Sequence, residues 1–461
     1  MFDRCREQRP GVPAGSSEPK SGRAWPLYGA AFTTGLSLST AWSAMPFVLI
    51  AMGGTKAHVG DAPTVNILAY MAALLVTGSR LGHLDVKRAT RAAVVVAMLS
   101  ALLMALAVFG ATTHNGADHR LWIWMVIAAG GLGGAAMALF WPFLMSWVSG
   151  SYEGLALNRR LGRYNGSWSS GGVVGPLVGA WLVEKGPLWP MLAAVLCFAA
   201  AFLLLGLARR TRSDQDCGLP IADCGIGHEP PFNPKSEIAN PQLEDLVPDA
   251  RLADFRWLSR IALFCAWASF AIARSQFALL FTGLGYTESQ FGVYLTTVAL
   301  CNFLALIAGG RWAFWHFRAG LLMGAQGMVL LALLLVIYGR ALSVLLLSAV
   351  VLGVAFGFSY SSHLFYGAAS SRKRSVRMVI HEIVICLGVT AGSWPSGHLA
   401  QHVGPYAPYW FAVALVTLGA VGQIVIHVAS QTRLPAHPYL ATEGTEDTEQ
   451  IEPQMNADEP G

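Results

Sequence analysis

Charge is what this sequence is short of: 12% of its 461 residues are Asp, Glu, Lys or Arg, where a soluble globular chain carries about 25%. With 54% hydrophobic residues besides, a water-soluble globular fold is excluded and the composition is that of a membrane protein. The seven cysteines are Cys5, Cys197, Cys217, Cys224, Cys265, Cys301 and Cys386. They have neither the spacing of a disulfide framework nor that of a zinc site. HEIVIC lacks the second His of a HExxH metalloprotease, and GFSYS lacks the closing Gly of a hydrolase elbow. His, Asp and Glu cluster at no single depth. The sequence therefore points to no enzyme, no cofactor and no metal. The net charge of +5 follows membrane topology and gives no sign of nucleic-acid binding.

What is present is a series of long apolar runs, each able to cross roughly 30 Å of hydrocarbon as a helix. Twelve spans are expected: 27–52, 64–86, 91–111, 121–149, 161–183, 187–207, 258–284, 291–312, 319–339, 342–366, 376–400 and 407–429. Residues 1–25 are polar, basic and rich in Pro, Gly and Ser, which reads as a disordered cytoplasmic tail. Residues 26–207 form an N-terminal six-helix bundle, 208–257 a Pro- and charge-rich cytoplasmic linker, 258–429 a C-terminal six-helix bundle, and 430–461 a disordered acidic tail. With both termini cytoplasmic, 26 of the 31 Lys and Arg fall on the cytoplasmic side. Four fall outside (Lys56, Arg120, Lys185, Arg340), and Arg274 lies within a span. That bias satisfies the positive-inside rule and predicts a multi-pass protein of the cell (inner or plasma) membrane.

The two halves echo one another. A shift of 231 pairs Gly78 with Gly309, Arg80 with Arg311 and Lys87 with Arg318. A shift of 217 pairs Arg160 with Arg377, Gly171 with Gly388 and Gly175 with Gly392. Matches at corresponding places are what a parallel duplication about an axis along the membrane normal predicts.

Span five holds GRYNGSWSSGGVVGPLVG at 162–179, dense in the poorest helix formers. In lipid, small residues let helix backbones approach closely. The run resembles the fifth-helix signature G-x8-G-x3-G-P-x2-G-G of the major facilitator superfamily: Gly162, Gly171, Gly175, Pro176 and Gly179 sit at its spacing, and Ala180 replaces the last glycine. The loop after span two, with Gly78, Arg80, Asp85, Lys87 and Arg88, is similar to that family's cytoplasmic loop motif. Gly82 stands where the family has an Asp, so Asp85 is the carboxylate left to lock span two to span eleven. The resemblance implies an all-α fold of two pseudo-symmetric six-helix bundles, with the span-five glycines as the seam on which the halves rock. The family's drug–proton antiporters carry an Arg in span four, where this chain has Ile127, and span one has no carboxylate.

Arg274 sits near the middle of span seven, where a charge costs several kcal/mol unless it meets a cavity or a partner. It reads either as a structural counter-ion or as a substrate or coupling residue, since Arg holds carboxylates and phosphates bidentately. Gln276 is beside it. Glu382, preceded by His381, lies a turn inside span eleven; a carboxyl there suits proton uptake and release, and also an inner-gate ion pair near Arg163 and Asn165. Thr40, Trp42, Trp141, Asn302 and Tyr360 complete a set of hydroxyls, amides and aromatics suited to lining a cavity for an organic solute.

The expectation is a monomeric secondary active transporter of a small organic solute, by rocking-bundle alternating access, with protons as a coupling partner. A multidrug-type efflux antiporter is one alternative. A transport-inactive membrane sensor or scaffold, which needs neither Arg274 nor Glu382, is another.

Overall fold

The computed structural model describes residues 24–80, 85–113, 119–149, 154–208, 249–312, 314–368 and 374–433. The side chains of 77–80, 154–159, 249–250, 368, 374–378 and 433 lie outside that description. So do the predicted tails, apart from residues 24–25 and 430–433, and linker residues 209–248.

Thirteen helices and no strand occur among the described residues: α1 (Trp25–Ala51), α2 (Lys56–Arg80), α3 (Val86–Thr113), α4 (His119–Ser149), α5 (Gly154–Lys185), α6 (Trp189–Leu207), α7 (Asp249–Arg274), α8 (Gln276–Gly283), α9 (Glu288–Arg311), α10 (Ala319–Tyr338), α11 (Leu342–Ala368), α12 (Arg374–His402) and α13 (Ala407–Arg433). Eleven are long and apolar enough to cross a membrane. α5 is long but diluted by its glycines and arginines, and α8 is short. The twelve expected spans correspond to these thirteen helices because α7 and α8 share the seventh, interrupted at Ser275. The Ser275 hydroxyl donates to the Ala271 carbonyl oxygen at 2.7 Å, the back-bonding that bends helices.

Two boundaries moved for a physical reason. α2 starts at Lys56, eight residues before the apolar window, because Lys56, His58, Asp61 and Pro63 hide its start from a hydropathy reading. Thr55 and His58 cap it reciprocally: the Thr55 N–H donates to His58 Nδ1 at 3.0 Å and the His58 N–H to Thr55 Oγ1 at 3.4 Å. α7 starts at Asp249, nine residues before the expected span, so the end of the expected linker is helical. Its first turns are amphipathic: Leu252, Phe255 and Leu258 are buried against Trp315 and Tyr366, while Arg251 stays exposed.

Packing sorts the helices into two groups. In the first, α1 packs on α5 and α6, α3 on α4 and α6, and α2 on α4. In the second, α7 packs on α12 and α13, α10 on α11 and α13, and α9 on α11. Every pairing in the first group has its counterpart in the second. Between the groups, α2 meets α12 and α5 meets α9, with thinner contacts from α8. The outer surface carries apolar stripes at helical spacing, such as Leu196, Leu203 and Leu207 on α6 and Leu418, Val421, Val425 and Val428 on α13. In water these would be adhesive patches; against lipid tails they cost nothing. Exposed Trp181, Trp189, Trp124 and Trp410 ring one end of the bundle, and Trp25, Trp257 and Trp312 the other, as interfacial belts do.

Candidate functional site

The end of the bundle that carries the α1–α2 turn, here the Lys56 end, is where the groups meet most closely. A Cβ added to Gly292 on α9 would strike the Pro176 carbonyl oxygen, Leu177 and Ala180 of α5. A Cβ added to Gly60 on α2 would strike the Ser393 carbonyl oxygen and Gly397 of α12. One turn further out, the carboxylate of Glu184 on α5 accepts from the Ser289 N–H at 2.7 Å. The amide oxygen of Gln401 on α12 accepts from the Lys56 N–H at 3.2 Å. Each thus satisfies a donor in the first turn of the opposite group's helix, which no intrahelical carbonyl reaches. The 217-residue shift carries Pro176, Ala180 and Glu184 onto Ser393, Gly397 and Gln401, and a shift of 232 carries Gly60 onto Gly292. The closure is one contact built twice.

This revises the role expected of the span-five glycines. Gly171, Gly175 and Gly179 face α1 within their own group: added Cβ atoms would meet Phe32, Leu36, Ser39 and Thr40. Gly388 and Gly392 likewise face Phe264, Trp267 and Ala268 of α7. Of the five signature residues Pro176 alone borders the other group, because 3.6-residue periodicity turns its carbonyl about a quarter of a circle from the glycine stripe. A Cβ on Gly162 would meet nothing within 4 Å.

Beneath the closure, α1, α2, α7 and α12 enclose a recess of about 20 Å³. Arg274 ends α7 there, its guanidinium 5.9 Å from the ring centres of both Trp42 and Phe270. It has no hydrogen bond and no carboxylate partner among the described residues. Trp267 and Ser393 also line the recess, and the Trp267 Nε1 and Ser393 Oγ atoms are buried without partners. Gln276 is placed differently: its Nε2 donates to the Lys56 carbonyl oxygen at 3.2 Å, tying α8 to the α1–α2 turn.

Further from the closure, a second polar cluster joins the groups. The Tyr70 hydroxyl of α2 donates to Glu382 Oε2 of α12 at 3.2 Å. His381, the preceding residue, turns into its own group, with Nδ1 2.8 Å from His363 Nδ1 of α11 and its ring edge-on to Tyr360. One of the two Nδ1 atoms must carry the hydrogen and the other accept it.

The remaining expected residues stand apart. Trp141 packs edge-on against Phe140, Tyr164 and Trp168. Asn165 accepts from Trp168 Nε1 at 3.1 Å. Asn302 lies against Gly353 and Gly357 inside the second group. Thr40 is buried in the α1–α5 contact. In the loop, Asp85 caps α3, its Oδ1 accepting from the Arg88 N–H at 2.9 Å. Lys87 Nζ donates to the Ala208 carbonyl oxygen at 2.7 Å, a cation at the C-terminus of α6. Gly78 and Arg80 form the last turn of α2, with their side chains outside the described residues.

The residues missed in the sequence are Tyr70, Trp267, Phe270 and Ser393. Trp267 and Phe270 precede Arg274 by seven and four positions, which stacks all three on one helix face; that signal was available. Nothing local marked Tyr70 or Ser393.

Among solved structures, the chain is similar in fold to the nucleoside transporter NupG (TM-score 0.62, 12% identity, 87% of this chain and 98% of that one). It is also similar to a POT family transporter in complex with a thioalcohol-conjugated peptide (0.61, 13%, 88% and 96%). A third similar structure is the human organic anion transporter MFSD10 (0.54, 16%, 88% and 100%). No curated protein matches the sequence. The family model of the Major Facilitator Superfamily matches residues 27–366. Taken with the doubled six-helix arrangement, this match means that the chain is a membrane transporter and belongs to the Major Facilitator Superfamily.

Proposed function

We propose that the protein is a secondary active transporter of a small organic solute that works by rocking one six-helix group against the other. The Lys56 end faces outward, both termini are cytoplasmic, and Glu382 carries the coupling proton. The observation that carries this reading is the doubled closure at Gly60 and Gly292. Two densely packed groups touch there through small residues, two helix-capping hydrogen bonds, the Asp61–His398 pair at 3.4 Å and the Phe47 ring of α1 set edge-on against Phe291 of α9. The orientation rests on the distribution of Lys and Arg. Proton coupling rests on Glu382, the membrane-depth carboxylate that bridges the groups through Tyr70.

The test is a cross-link. In a background with the seven native cysteines replaced, Glu184→Cys and Ser289→Cys are joined by a short bis-thiol reagent in proteoliposomes. Solute counterflow stops when the link forms and returns when a cleavable linker is cut. Undiminished flux through fully cross-linked protein would rule out alternating access about this closure. A scaffold would show no flux in either state.

A further inference from the structure

Resting on that transport reading, we infer that the recess at Arg274 selects a monocarboxylate with a flat apolar body, of the aromatic-acid class.

Three groups converge on the recess from two helices: the guanidinium of Arg274 and the indole N–H of Trp267 from α7, and the hydroxyl of Ser393 from α12. Ser393 is fully buried, and neither its Oγ nor Trp267 Nε1 has a partner. A buried polar group left unmatched costs about 1–3 kcal/mol, so two of them beside the unpaired charge of half-buried Arg274 describe a site awaiting an acceptor. The rings of Trp42 and Phe270 attract the guanidinium electrostatically and use none of its N–H groups.

The donor set defines the ligand. Arg274 and Trp267 are donors with no acceptor atom, and no Asp or Glu lines the recess. A cation would meet one positive charge and nothing to offset it. A polyol such as a sugar needs several acceptors for its own hydroxyls, and the wall offers two side-chain ones, the hydroxyls of Ser393 and Ser275, the latter already donating to the Ala271 carbonyl oxygen. A single cation balances one negative charge, which favours a carboxylate over a phosphate dianion. Planar, bidentate acceptance is what the guanidinium fork matches. The Trp267 N–H and Ser393 O–H supply the remaining hydrogen bonds to the two carboxylate oxygens. Apart from Ser275 the rest of the wall is apolar, and Trp42 and Phe270 offer faces for an offset-stacked ring. In the present closed arrangement the recess has room for about one water-sized group. The solute is therefore gripped only after the groups part and close around it.

The experiment measures ligand-induced thermal shift and calorimetric binding on the purified full-length protein in lipid nanodiscs at pH 7. The probes are benzoate, its neutral isostere benzamide, and benzylammonium. Benzoate is expected to bind at least about tenfold more tightly than either of the others, the discrimination of one charge-assisted bidentate contact. Arg274→Gln erases the gap between benzoate and benzamide. Trp267→Phe, which keeps a ring and loses the N–H, weakens benzoate about threefold to tenfold. Benzamide or benzylammonium binding as tightly as benzoate, or a gap that survives Arg274→Gln, overturns the inference. If flux of another solute still stops on cross-linking Glu184→Cys to Ser289→Cys, the transport reading stands while the carboxylate assignment falls. If cross-linking leaves flux untouched, the transport reading itself falls.

Discussion

Glu184, at the end of α5, accepts a 2.7 Å hydrogen bond from the backbone N–H of Ser289 in the first turn of α9. Its counterpart across the pseudo-symmetry, Gln401, does the same for Lys56 with a side chain that cannot titrate. One half of the closure is therefore held by a carboxylate, and the other by an amide together with the Asp61 carboxylate of α2, 3.4 Å from His398 Nε2 of α12.

Burial pushes the Glu184 carboxyl up. Hydrogen bonds from Ser289 and Thr287 and the nearby Lys185 outweigh that and hold it below the ordinary carboxylate value. A depressed value in the closed state means the contact is fully present above the open-state value and weakens as pH falls through the closed-state one. External acid should therefore loosen the α5–α9 contact. In a cysteine-free background that also carries Asp61→Asn, which removes the carboxylate facing His398, labelling of Val59→Cys by a membrane-impermeant maleimide, normalised to an exposed Val403→Cys, is expected to rise below the carboxylate range. Adding Glu184→Gln should flatten that response, because Gln accepts as Gln401 does. An equal rise with Glu184→Gln would show that another group is responsible.

Glycine substitutions should separate packing within a group from closure between groups. Gly171→Ala places a methyl on the α1 backbone at Phe32 and should lower stability by about 1–3 kcal/mol, seen as a lower melting temperature. Gly60→Ala meets the Ser393 carbonyl and Gly397 of the other group. It should raise maleimide access to Val59→Cys with little change in melting. Gly162→Ala has open space and should gain about 0.5–1 kcal/mol from helix propensity.

The Tyr70 hydroxyl on Glu382 predicts a split between accumulation and exchange. Glu382→Gln should abolish uptake driven by a pH gradient while counterflow of unlabelled against labelled solute persists. Tyr70→Phe should reduce gradient-driven uptake by about tenfold, the loss of one hydrogen bond to a charged group. Full gradient-driven uptake by Glu382→Gln would remove Glu382 from the coupling path.

Asp85 caps α3, so Asp85→Ala should cost about 1 kcal/mol of stability. Asp85→Asn should cost little, since Asn caps equally well. A large transport loss in Asp85→Asn at unchanged melting would instead return this residue to the locking role the family loop implies.

Much of the fold was readable because the membrane makes composition decisive: a run such as AAVVVAMLSALLMALAVFG has few other places to be. Boundaries failed where polar residues began a helix outside the hydrocarbon, as at Lys56 and Asp249. The site was half readable. Arg274 and Glu382 stood out because charge is expensive at that depth, and the structure sets the Arg274 guanidinium 5.9 Å from the Trp42 ring. Asn302, Trp141 and Thr40 belong to packing contacts, which the residue type alone does not distinguish from a cavity wall.

The sequence by itself determined that the chain crosses a membrane many times and that its halves are duplicated. Those follow from hydropathy and spacing, which are local. Only the tertiary structure decided which face each helix turns to its neighbour. It set the Gly171, Gly175 and Gly179 stripe against α1, gave the seam to Gly60 and Gly292, and left Arg274, Trp267 and Ser393 with donors and no acceptor. In lipid no hydrophobic force sorts one apolar face from another. Close backbone approach between helices far apart in the chain makes that choice.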